Sequence, residues 1–136
     1  MQSDRRVVAD AWLTAAARDQ RAAERLRDLE PSLACFHAQQ SAEKALKAAT
    51  VVASGDVQRS HSLVRALGEL SAAGTSIPET ISRACRILER YYASTRYPDA
   101  LGNVDPGEIY TLADALETFA LANEVIAFAR TIVATP

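Results

Sequence analysis

The sequence predicts an all-α protein, an antiparallel up-and-down four-helix bundle with one short extra helix. Three observations carry this. Apolar residues recur at the three- and four-residue spacing of a helix face through four long segments. Alanine is abundant, while glycine and proline number five each, so helix interiors meet few breakers. The connections between segments are short, which favours antiparallel neighbours. A chain of 136 residues suits one domain, spanning 1–136, with one core.

The first helix is expected from about Asp4 to Leu29, with Val8, Ala11, Trp12, Ala15, Ala22, Leu26 and Leu29 on one side. Pro31 is well placed to open the second helix, which runs to about Ala53 and ends near Gly55. A short third helix is expected from His61 to about Ala72, with Ser60 as its N-cap and Gly74 closing it. Pro78 opens the fourth, whose stripe is Ile81, Ala84, Cys85, Leu88, Tyr91 and Tyr92. Arg96-Tyr97-Pro98-Asp99 ends it, because the residue before proline avoids helical geometry. The last helix has a capping signature, with Asp105 as N-cap, Pro106 at the first position and Glu108 three residues after the cap. It is expected to run to about Val133. Its main stripe reads Ile109, Leu112, Ala113, Leu116, Phe119, Ala120 and Ala127. A second apolar row, Leu121, Val125, Phe128 and Ile132, lies well round the cylinder. A helix apolar on two sides is either deeply buried or part of a homodimer interface.

Composition narrows the function classes. Hydrophobic residues make up 49% and charged residues 24%, and no apolar run approaches the roughly 20 residues of a membrane span. The opening residues lack the apolar core of a signal peptide, so a cytoplasmic protein is expected. Cys35 and Cys85 fall on apolar helix faces and read as core filler rather than a disulfide or metal site. No metal or other cofactor is expected. A net charge of −2 excludes a strongly basic nucleic-acid footprint, leaving only a local patch for that role.

The second helix carries more polar groups than packing requires. Ala34, Ala38, Ala42, Ala45, Ala49 and Val52 form a small-residue face, while His37, Gln40, Ser41, Lys44 and Lys47 gather on another. Lys44 and Lys47 are the only lysines, against thirteen arginines. That side is either a solvated face with ordinary pairs such as Glu43–Lys47, or one wall of a site. Asp19 falls inside the apolar stripe of the first helix and must be paired, with Lys44 a reasonable partner. Asn123 interrupts the last helix in the same way. If Asp19, Gln40, Lys44 and Asn123 converge, the bundle holds a polar pocket. Arg96 at a helix exit could clamp a phosphate, and Tyr91, Tyr92 and Tyr97 could stack a base, or all could simply finish the core and cap the loop. Arg83, Arg86 and Arg90 share one face and read as solvated or as RNA-backbone contacts. His61 lies one helical turn before Arg65.

Phe36-His37-Ala38-Gln39-Gln40-x-x-Glu43-Lys44-x-x-Lys47-Ala48, then His61-Ser62-Leu63, then Tyr92-x-x-x-Arg96-Tyr97-Pro98-Asp99, resembles the HEPN domain (higher eukaryotes and prokaryotes nucleotide-binding). Trp12 and Asp19 also resemble its opening helix. The resemblance covers nearly the whole chain. It implies a bundle of about five helices, usually a homodimer, and a link to nucleotides or RNA. Small prokaryotic members often accompany a minimal nucleotidyltransferase as a two-component or toxin–antitoxin pair. One departure matters. Ribonuclease members carry Arg, four to six residues, then His. Here Arg27 stands ten residues before His37, Arg59 only two before His61, and no His follows Arg130. The family's ribonuclease chemistry therefore does not carry over residue by residue.

The leading expectation is a non-catalytic dimeric module binding a nucleotide, RNA or a nucleotidyltransferase partner. Lys44, Lys47, Arg96 and Tyr97 would meet the ligand, with Asp19 and Gln40 orienting the pocket. Two alternatives stand beside it. One is a metal-independent ribonuclease using His37 or His61. The other is a purely structural dimerisation module held by the polar side of the second helix.

Overall fold

The structure, a computed structural model, describes residues 2–57 and 59–135. Among these the chain is helical: α1 (Gln2–Leu26), α2 (Pro31–Ser54), α3 (Leu63–Ala72), α4 (Glu79–Glu89), a single turn α5 (Tyr91–Ser94) and α6 (Leu112–Ala134), with 3₁₀ turns at Pro98–Leu101 and Pro106–Glu108. The long helices α1, α2, α4–α5 and α6 form the bundle, and α3 is the short extra helix.

α2 is the central post. It packs against α1, α6 and α3, and most of its residues are buried, including Ala34, Ala38, Ala42, Ala45, Ala48 and Ala49. Alanines let neighbouring backbones approach closely, so the core of this bundle is unusually rich in small side chains. Leu46, Leu63, Leu70, Leu88 and Val125 supply the bulk. Burial of a leucine contributes about 2 kcal/mol.

The ends follow local chemistry. Gly55 closes α2 in the left-handed conformation (φ 92°), its N–H bonded to the Val51 carbonyl at 3.0 Å. A Cβ there would meet the Arg5 guanidinium, so the start of α1 lies beside the end of α2. Arg6 donates to the Thr135 carbonyl at 3.0 Å and so closes the C-terminal end of α6. Both contacts follow from the antiparallel path.

Three expectations need correction. α3 is capped by Ser62, whose Oγ accepts from the Arg65 N–H, while Ser60 Oγ accepts from the Ser62 N–H; His61 therefore lies in the loop rather than on the helix. Asp105 does cap, but only the 3₁₀ turn at Pro106–Glu108. α6 starts anew behind Thr111, in a capping box with Asp114. The face of α6 is also different. Ala115, Thr118, Ala122, Val125, Ile126, Ala129 and Val133 are buried, whereas Ile109, Leu112 and Leu116 are 42–48% exposed. The alanine-lined surface of α2 is met by Ala115, Ala122 and Ala129 together with Val125 and Ile126, while Leu112 and Leu116 in the first turns of α6 face outward.

Candidate functional site

Two buried carboxylates organise the polar side of α2. Asp19, on α1, sits against α2 with its Oδ1 2.8 Å from His37 Nδ1 and its Oδ2 2.5 Å from Lys44 Nζ. Burial alone would push this carboxyl up. Hydrogen bonds from His37 and Lys44 outweigh that and hold it below the usual carboxylate range. An ionised Asp19 only accepts, so His37 carries its proton on Nδ1 and presents Nε2 away from the pair.

Glu43 organises the second cluster. Its Oε2 lies 3.6 Å from Lys47 Nζ and 3.2 Å from His61 Nδ1, and its Oε1 accepts from Gln40 Nε2 at 3.4 Å. Gln40 also donates to Gln39 Oε1 at 2.8 Å. Lys47 is nearly buried, its ammonium 5.1 Å above the Trp12 ring. The polar side of α2 is thus not a solvated face. Lys44 and Lys47 are each neutralised by an internal carboxylate.

Asn123 does not join these groups. It accepts a hydrogen bond from Gln20, the residue after Asp19, across the α1–α6 contact. The expected convergence of Asp19, Gln40, Lys44 and Asn123 is therefore replaced by two separate carboxylate clusters and an amide pair.

Arg96 stands apart electrically. It follows α5, where buried Thr95 fixes the exit by donating to the Tyr91 carbonyl at 2.6 Å. Its guanidinium lies 4.3 Å from the Phe36 ring, 4.7 Å from Tyr97 and 5.0 Å from Tyr92. Nε donates to the Tyr92 carbonyl at 3.4 Å. Among the described residues no carboxylate pairs with it. Tyr92 also stacks on His61, with ring centroids 4.8 Å apart, and Phe36 meets His37 edge-on at 5.3 Å. Arg96 consequently links the two histidine–carboxylate pairs through aromatic rings. The α5 turn that precedes it is tied down from the loop, where Tyr110 donates to Ser94 Oγ at 2.6 Å and packs on Tyr91. Burial, with Asp114 nearby, pushes the Tyr91 hydroxyl to about 12, so it stays protonated.

The remaining reactive groups are quiet. Burial raises the Cys35 thiol to about 11 and the Cys85 thiol to about 12, which keeps both protonated and unreactive. Arg86 pairs with Glu79 at 3.0 Å on the surface, while Arg83 and Arg90 are exposed. Among the described residues no group of three or more His, Cys, Asp or Glu could hold a metal ion, and no helix is long and apolar enough to cross a membrane.

Of the residues singled out from the sequence, the structure joins Asp19 with His37 and Lys44, Gln40 and Lys47 with Glu43 and His61, and Arg96 with Tyr97. Sequence reasoning missed the wall that Phe36 and Tyr92 give to Arg96 and the seat that Trp12 gives to Lys47. The signal was present only as aromatic residues inside the motifs themselves.

An α-helical bundle with two internal carboxylate clusters and an arginine held among aromatic rings defines a small α-helical domain of distinctive site chemistry. A family model for the HEPN domain matches residues 9–132, and the chain belongs to that family. It is similar to the crystal structure of TT1696 from Thermus thermophilus, at 36% identity and a TM-score of 0.85, over 91% of this chain and 97% of that one. It is also similar to ST0689, an archaeal HEPN homologue, at 30% identity and a TM-score of 0.75, over 92% and 97% of the two chains. No curated protein matches it.

Proposed function

We propose that this chain is a dimeric HEPN module that binds a nucleotide or RNA through the surface around Arg96. The supporting observation is the guanidinium held against Phe36, Tyr92 and Tyr97 with no acidic partner among the described residues. A planar fork fixed in this way is pre-organised for a phosphate. Half-exposed Tyr97 offers a ring on which a base can stack. Lys44 and Lys47 act from behind, as counter-ions of Asp19 and Glu43, rather than as the first phosphate contacts. Isothermal titration with nucleoside mono-, di- and triphosphates tests the reading. Binding should weaken at least tenfold in Arg96→Ala. Equal heats in wild type and variant would sink it.

Dimerisation rests on the outward row Ile109, Leu112 and Leu116, large apolar side chains that the bundle leaves exposed. A second copy would cover them, and Leu116→Glu should then halve the mass seen by light scattering. A nucleotidyltransferase partner in a two-component or toxin–antitoxin system is the finer form of this reading, tested by co-purification with the product of a neighbouring reading frame.

A second reading is favoured by one observation. His37 and His61 each rest Nδ1 on a carboxylate, the arrangement that orients a histidine for proton transfer through Nε2. This would be a ribonuclease lacking the family's Arg-to-His spacing. Cleavage of RNA in EDTA, lost in His37→Ala or His61→Ala, would establish it; intact RNA would dismiss it.

A further inference from the structure

A groove of about 1340 Å³ opens where the start of α1, the end of α2, the following loop and α3 meet. It is larger than the roughly 300–1,000 Å³ that suits one small molecule. Trp12 forms part of its wall, and Arg59 and Arg65 flank it. Both arginines are exposed and have no carboxylate partner among the described residues. Asp56 and Glu69 also line the groove, so it is not a diffuse basic field; its cations act singly.

One edge of the groove adjoins the residues around Arg96. Ser60 lines it, and the next residue, His61, stacks on Tyr92, which also faces Arg96. On the inner side, Trp12 carries Lys47, Lys47 pairs with Glu43, and Glu43 holds His61. An unbroken line of contacts thus runs from Trp12 to Arg96.

We propose that this groove takes the further nucleotides of a single-stranded nucleic acid whose first phosphate sits at Arg96, with one base against Trp12 and phosphates at Arg59 and Arg65. The proposal rests on the Arg96 reading and extends it, from a mononucleotide to a strand. Cations that meet the backbone and an aromatic ring on which a base stacks are the means by which proteins hold single strands without reading sequence, and Arg59, Arg65 and Trp12 supply both kinds here.

Trp12 is the only tryptophan, so the protein's indole emission comes from the groove wall. The experiment titrates the full chain with mixed-sequence single-stranded RNA of two and of ten nucleotides. Trp12 emission and the anisotropy of an end-labelled RNA are followed over a salt series. The longer RNA should bind roughly tenfold or more tightly and quench Trp12, as one added stacked base does. Arg59→Ala/Arg65→Ala should remove that gain. It should also flatten the salt slope by about 0.7 for every phosphate that is no longer neutralised. Both positions are exposed, so the variant folds, which its circular dichroism checks.

Binding that depends on Arg96 but is equal for both lengths, with unchanged Trp12 emission, overturns the groove and leaves the Arg96 reading intact. A length gain that survives Arg96→Ala but not the double variant removes the Arg96 reading and keeps the groove. No binding at either length overturns both.

Discussion

The two sides of the motif surface hold their cations in opposite ways. Lys44 and Lys47 sit on α2 within reach of Asp19 and Glu43 and are matched charge for charge. Arg96, a few ångströms from the rings of Phe36, Tyr92 and Tyr97, is matched by π-faces and the Tyr92 carbonyl, with no carboxylate partner among the described residues. A cation paired with a buried carboxylate holds helices together, and removing either member leaves an uncompensated charge. A cation supported by rings keeps its hydrogen-bonding fork open to an incoming anion. The same motif therefore contains a structural half and a recognition half.

The largest effect expected of this division is on stability. Asp19→Ala strips His37 and Lys44 of their shared acceptor and should lower unfolding free energy by about 3 kcal/mol in urea titration. A loss under about 1 kcal/mol would break the comparison. Next comes recognition. Arg96→Ala should cost binding at least tenfold yet change stability by less than half of the Asp19→Ala effect, since the fold gives up only the packing of a guanidinium on rings. Arg96→Lys should recover little affinity, because an ammonium offers no planar fork.

Lys44→Ala should be milder than Asp19→Ala, at about 1 kcal/mol. The lysine end of the pair is 29% exposed, and Asp19 keeps His37. The smallest effect is a pH limb. The Asp19 pKa is lowered in the fold, so its contribution is present above the unfolded carboxylate value, near pH 4, and is lost as pH falls through the folded value. Asp19→Asn should flatten that acid limb in a pH series of thermal melts. An unchanged limb would assign it to other carboxylates.

Much of the bundle was legible in the chain. Pro31, Gly55 and Gly74 punctuate where expected, because proline and left-handed glycine act locally. The Asp19–Lys44 pair was legible because a carboxylate inside an apolar stripe demands a partner, and few cations stand nearby. Errors arose where the local signal was shared by two outcomes. Asp105-Pro106 is as good a start for one 3₁₀ turn as for a long helix. Ser60 and Ser62 are both competent caps, and the tertiary position of His61 against Glu43 and Tyr92 goes with the second. On α6 the row Leu121, Val125, Phe128 and Ile132 does pack on the core, whereas the stripe taken as the main one, with Leu112 and Leu116, turns outward, because apolar content alone does not say which of two rows the bundle covers.

By itself the sequence determined the helices, their order, the family motifs and the scarcity of lysine. These depend on neighbours within a few turns, where spacing and backbone preference act directly. Only the tertiary structure decided which face of α6 meets α2, which cations are neutralised and which one is left on rings. Those outcomes depend on residues as far apart as Asp19 and Lys44 or Phe36 and Arg96, whose meeting is set by the close packing of alanine faces and not by any local rule.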